Sequence, residues 1–179
     1  MIAPTLPIKI IFSHGKESGP WGSKIAALAQ VAEQRGFSVH SIDYQDMMNP
    51  DQRVARLNAL LDTENQPVIL VGSSMGGYVS LVAASHPRVI SAFLMAPALY
   101  MPGYQHQQYP LLGDRVTIVH GWQDDIVSPK VSVQYASESA STLHLITGDH
   151  RLNAVLPRLL ALFGLFLDHS QAVEVDARI

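Results

Sequence analysis

A chain of 179 residues with 47% hydrophobic and 15% charged side chains carries enough apolar surface for one packed domain and lies far from disorder. Its formal charge of −3 is too small to argue for a nucleic-acid or anionic-membrane partner, and with no cysteine it has neither disulfides nor thiolate metal sites. The segment MIAPTLPIKIIF has no basic leader followed by a long apolar run, and the longest apolar stretch, Leu156 to Leu167, is broken by Pro157 and Arg158, so the expectation is one soluble, cytoplasmic domain over residues 1–179.

The elements follow in order. Ile8 to Phe12 is apolar and β-branched and stops at Ser13-His14-Gly15, a first strand ending in a glycine-containing loop. Ser23 to Arg35 places Ile25, Leu28, Ala29 and Ala32 at helical spacing, with Gly36 as C-cap. Phe37 to Asp43 alternates and predicts a second strand. Asn49-Pro50 opens a helix whose inner stripe is Val54, Leu57, Leu60 and Leu61. Pro67 to Val71 predicts a third strand, buried on both faces, and Met75 to Ala84 an almost uncharged helix. Val89 to Met95 is a fourth strand, and Ala96 to Gly113 has no period and reads as a loop. Arg115 to Val119 and Thr142 to Ile146 are the fifth and sixth strands, separated by a helix from Ser128-Pro129 to about Ser139. Asn153 to Asp168 is a last amphipathic helix, and Ser170 to Ile179 is expected to be a loosely held polar tail. Strands alternating with helices predict an α/β fold: a doubly wound, six-stranded parallel sheet covered on both faces, with its chemistry at the strands' carboxyl ends.

Between the third strand and its helix stands Gly72-Ser73-Ser74-Met75-Gly76, a match to G-x-S-x-G. That pattern suits a turn so sharp that the serine hydroxyl is pushed up from the sheet, and strand before plus helix after is the context it requires. A plain Gly/Ser turn is the bland alternative; a phosphate loop is excluded by the missing Gly-Lys-Ser/Thr ending. The other clusters just past strands are Ser13-His14-Gly15-Lys16, Trp122-Gln123-Asp124-Asp125 and Asp149-His150. A serine hydroxyl needs a base to become a nucleophile, which His150 supplies, and an acid after the fifth strand would fix the imidazole's tautomer.

Through GSSMGG, HGWQDDIVSP (an H-G-x-x-D-x-x-V-x-P pattern) and GDH, the chain resembles an α/β-hydrolase in reduced form over Pro7 to Asp168. The resemblance implies Ser74 as nucleophile, Asp124 as acid and His150 as base, in the order of that fold. It also implies an oxyanion hole from the backbone N–H groups of Met75 and Lys16. Against the usual pattern, the first two strands are absent, and Ala96 to Gly113 is too short for a cap domain. The implied activity is hydrolysis of a small ester or thioester through an acyl-enzyme, with no cofactor, no metal, and no nucleic-acid or membrane partner. Amide or carbon–carbon hydrolysis, or a non-catalytic scaffold that keeps the fold, are the alternatives; a dehalogenase would need a carboxylate in place of Ser74.

Several residues carry two readings. Asp125 competes with Asp124, though the family spacing favours Asp124 and leaves Asp125 to solvent or to capping. His14, His120 and His150 would together suggest zinc, but the first two precede glycines in tight turns, where the resemblance makes them structural. His40, His86, His106, His144 and His169 read as surface or packing residues. Asp43 would brace the His14-Gly15-Lys16 loop or simply end a strand. Trp122, Tyr100, Met101, Tyr104 and Tyr109 would line an acyl pocket or merely pack.

Overall fold

The computed structural model describes residues 7–176, and its core is a six-stranded, all-parallel sheet in the order β2-β1-β3-β4-β5-β6. The strands are β1 Lys9–Ser13, β2 Ser38–Ile42, β3 Val68–Ser73, β4 Val89–Met95, β5 Val116–Gly121 and β6 Thr142–Ile146. Helices α1 Ser23–Glu33, α2 Pro50–Thr63, α3 Met75–Ala83, α4 Lys130–Ser139 and α5 Leu156–Asp176 connect and close them. The doubly wound α/β fold expected from the sequence is the fold observed.

Two apolar layers sandwich the sheet. On one face Val54, Leu57 and Leu61 of α2, Tyr78 and Val79 of α3 and Tyr135 of α4 pack on Leu70, Leu94 and Ile118. On the other, Leu28 and Ala32 of α1 and Leu159, Phe163 and Phe166 of α5 pack on Ile10, Ile69 and Phe93. β3, fully buried, is the centre, which explains its continuous apolar run; β2 and β6 are the edges and are half exposed. Strand order reverses between β1 and β3, and in such sheets that reversal opens a crevice at the carboxyl ends.

Local signals held at most boundaries. Asn49 caps α2, its side-chain oxygen accepting from the N–H groups of Asp51 and Gln52 at 2.8 and 3.1 Å, with Pro50 in first position. β3 and β5 each run two residues further than the apolar run that predicts them, because Gly72 and Ser73 pair with Leu94 and Met95, and His120 and Gly121 pair with Leu145 and Ile146. The loose tail expected from Ser170 is corrected within the described residues: α5 continues to Asp176. Ser170 is buried with its hydroxyl 3.2 Å from that of Ser91, and Asp168 accepts from Arg35 Nε at 2.8 Å. Asp168 and Ser170 thus tie this part of the helix to the turn after α1 and to β4. Residues 177–179 of the expected tail lie outside the described residues.

Among the described residues no helix is long and apolar enough to cross a membrane.

Candidate active site

Ser74 stands alone between β3 and α3 with φ 55° and ψ −118°, a conformation L-residues avoid. Its neighbours leave no other path. A Cβ on Gly72 would overlap the Gly76 carbonyl, and one on Gly76 the Ser13 carbonyl, so the turn can close only with glycine at both places. The Ser74 N–H donates to Met95 O at 2.9 Å and its carbonyl accepts from Ala98 at 3.0 Å, which anchors the strained residue on β4 and the segment after it.

The three side chains separated by fifty and twenty-six positions in sequence meet above the sheet. His150 Nε2 lies 2.9 Å from Ser74 Oγ, and His150 Nδ1 lies 2.7 Å from Asp124 Oδ2. With Nδ1–H donating to the carboxylate, Nε2 is left as the acceptor for the serine hydroxyl. Asp124 is buried, while Asp125 is exposed and outside this chain of hydrogen bonds. Burial pushes the Asp124 carboxyl up, but the N–H groups of Val127 and Ile126 on Oδ1 and the His150 ring on Oδ2 outweigh it and hold the group below the usual carboxylate value. The carboxylate is thus fixed as an anion facing His150.

By sequence His120 reads as a structural residue before a turn glycine, and the structure gives that part a specific form. Its Nε2–H points between Asp124 Oδ2 at 2.9 Å and Val127 O at 3.0 Å, and Nδ1 accepts from the Ser132 hydroxyl at 2.7 Å. Asp124 Oδ2 therefore receives two imidazoles. Full burial holds His120 neutral, its pKa lowered from the ordinary imidazole value, in the tautomer these partners require. The signal was present in the sequence as the i, i+4 pair His120 and Asp124.

The loop that bears His150 is fastened on three sides. Gln123 and Gly148 exchange hydrogen bonds at 3.0 and 2.7 Å, and Gly121 admits the Gly148 carbonyl where a side chain would collide. Asp149 turns the chain by accepting from the N–H groups of Arg151 and Leu152. Lys24 at the start of α1 donates to Arg151 O at 3.0 Å, and burial pulls its pKa down to about 8.

Of the two residues expected to supply oxyanion N–H groups, Met75 opens α3, and its N–H lies at the positive end of that helix. Gly15 and Lys16 follow β1, whose Ser13 pairs with Gly72, so this loop runs beside the serine: a Cβ on Gly15 would lie 3.7 Å from Ser74 Cβ. The Lys16 side chain is exposed. Asp43 accepts from Gln45 N–H at 2.8 Å and stands 4.0 Å from His14 Nε2, while buried Arg53 binds the loop's carbonyls directly. Bracing of the loop falls to Arg53, which sequence reasoning missed although a charge at i−4 from Leu57 on an apolar stripe marks it.

Tyr104 and Tyr109 pack edge-on against Tyr78, and Tyr100 against Tyr109, with the Tyr100 hydroxyl on Glu138. Met101 is half-buried beside them, and Trp122, two residues before Asp124, is 57% exposed. Each candidate zinc histidine has its own protein partners: His14 Nδ1 donates to Gly15 O and Nε2 accepts from Tyr44 N–H, while His120 and His150 converge on Asp124.

His14 and His120 are both fully buried with pKa values lowered, chiefly by burial. Below the ordinary value of 6.5 the unfolded chain takes up protons that these folded imidazoles refuse, so stability is complete above 6.5 and falls as pH drops beneath it. The slope is bounded at about 1.4 kcal/mol per pH unit for each group. Urea unfolding between pH 7.5 and 5 should show the fall, and His120→Gln should flatten it by about one group's share. An unchanged slope in that variant would remove His120 from the linkage.

A model of the alpha/beta hydrolase family matches residues 10–173. Among solved structures, an alpha/beta superfamily protein from Xanthomonas campestris pv. campestris is 26% identical, with TM-score 0.82 over 92% of this chain and 99% of that one. Est1E from Butyrivibrio proteoclasticus is 18% identical, with TM-score 0.77 over 94% and 89%. XC6422 from Xanthomonas campestris, an a/b serine hydrolase without lid, is 22% identical, with TM-score 0.66 over 92% and 83%. No curated protein matches.

Proposed function

The chain belongs to the alpha/beta hydrolase family, and on that premise we propose that it is a serine hydrolase that cleaves a small ester or thioester through an acyl-enzyme. The observation that carries the reading is the unbroken chain Ser74 Oγ, His150, Asp124 at 2.9 and 2.7 Å.

In this reading Ser74 Oγ attacks the acyl carbonyl as His150 Nε2 takes its proton, and Asp124 stabilises the imidazolium that results. The carbonyl oxygen, now an anion, is received by the N–H groups of Met75 and Lys16, each contributing about 10²- to 10³-fold. His150 then returns the proton to the departing alcohol or thiol. Water enters the vacated side, loses a proton to the same nitrogen, and releases the acid from Ser74. The connection between β4 and β5 is short and tied down by its tyrosines, which leaves the serine open and favours a short or protruding acyl group.

A fluorophosphonate probe tests the reading directly, since only an activated serine reacts with it. The expected result is one adduct, located at Ser74 by peptide mass mapping and absent after His150→Ala. Folded protein that takes no label would instead support the scaffold alternative.

A further inference from the structure

Arg53, in the first turn of α2, is completely buried, and its four hydrogen bonds all go to backbone carbonyls. Nε binds Met47 O at 2.7 Å and Nη2 binds Tyr44 O at 3.3 Å, both in the loop after β2. Nη1 binds His14 O at 3.0 Å and Gly15 O at 3.2 Å, in the loop after β1. The guanidinium also lies 5.1 Å from the centre of the Tyr44 ring. A buried cation without a carboxylate partner is costly, and the first turn of a helix, with its positive dipole end, is an unfavourable place for one. Packing alone would be served by an aliphatic side chain on this stripe. What only a guanidinium does here is hold several carbonyls of two loops at once.

Those carbonyls set the direction of the amides beyond them. A trans peptide is planar with N–H opposed to C=O, so a carbonyl of Gly15 turned into Arg53 turns the Lys16 N–H away from it. His14 Nδ1, donating to the same Gly15 oxygen at 2.7 Å, reinforces the orientation. A charged donor on the oxygen also polarises the amide and strengthens its N–H as a donor. Resting on the reading of Ser74 as nucleophile, we propose that Arg53 is a positioning residue that aims the Lys16 N–H at the oxyanion. Lost aim weakens the transition state more than the bound substrate.

The test compares wild type, Arg53→Lys and Arg53→Met on a p-nitrophenyl ester and on two inhibitors of matched shape. One is a trifluoromethyl ketone, to whose carbonyl Ser74 Oγ adds while His150 takes the proton, leaving an oxyanion in the hole; the other is an inert amide. Arg53→Met is expected to lose about 10- to 100-fold in kcat/KM, with trifluoromethyl ketone affinity falling in proportion and amide affinity within about 3-fold. Arg53→Lys, which keeps a charged donor, should recover part of both losses. If the methionine variant fails to fold, the lysine variant alone must show the same proportionality. Equal weakening of both inhibitors, or a folded Arg53→Met with full kcat, would overturn the proposal. Hydrolysis surviving in Ser74→Ala would overturn the nucleophile reading as well, whereas an inactive Ser74→Ala beside a fully active Arg53→Met overturns the Arg53 assignment alone.

Discussion

Replacing Ser74 with alanine is expected to lower kcat/KM for a short p-nitrophenyl ester by about 10⁴-fold or more, with the fold unchanged. The expected loss is large because, in the proposed mechanism, the hydroxyl forms the covalent bond, and among the described residues it is Ser74 Oγ that lies 2.9 Å from His150 Nε2. Ser74→Ala and His150→Ala should therefore be about equally inactive, and the double variant hardly worse, because the two side chains act as a unit. A glycine variant separates chemistry from strain. Ser74 holds φ 55°, where a Cβ is unfavourable, so Ser74→Gly should be as inactive as Ser74→Ala yet more stable by about 1 kcal/mol in urea unfolding. Turnover in Ser74→Ala within about 10-fold of wild type would dismiss Ser74 from the mechanism.

Much of the architecture was legible because period and punctuation agree with the tertiary environment. The run Val68 to Val71 is apolar at every position because β3 is covered on both faces, and Asn49-Pro50 marks a helix start that its capping bonds realise. Strand ends were harder to read. Ser73, His120 and Gly121 look like loop residues by composition, yet they are paired in the sheet and buried, and the His120 ring is satisfied there by Ser132 and Asp124. The same blindness hid Arg53 and the second imidazole on Asp124. Their roles depend on which carbonyls and carboxylates come together from separate loops, and a one-dimensional pattern does not show that. Ser170 to Asp176 was misjudged for a related reason: its polarity suggested solvent, while Ser170 meets Ser91 from the middle of the sheet.

Asp124→Asn should be the second most damaging change, lowering kcat by about 10³- to 10⁴-fold by analogy with other serine triads. The carboxylate now accepts from four donors: the N–H groups of Ile126 and Val127 on Oδ1, and the His150 and His120 rings on Oδ2. An amide has one oxygen, and the two backbone N–H groups claim it. Its NH2 then faces two ring N–H groups, and His150 relieves the clash by moving its proton to Nε2. That tautomer presents a donor to Ser74 Oγ and has no lone pair for the serine proton. The unpaired donors should also cost about 1–3 kcal/mol of stability, measurable as a lower urea midpoint. Asp125→Asn is the internal control. Asp125 is exposed and takes no part in the hydrogen bonds to His150, so its loss should change kcat by less than about 2-fold. Were Asp125→Asn the inactive variant and Asp124→Asn the active one, the orienting carboxylate would have to be reassigned and the acid loop redrawn around it.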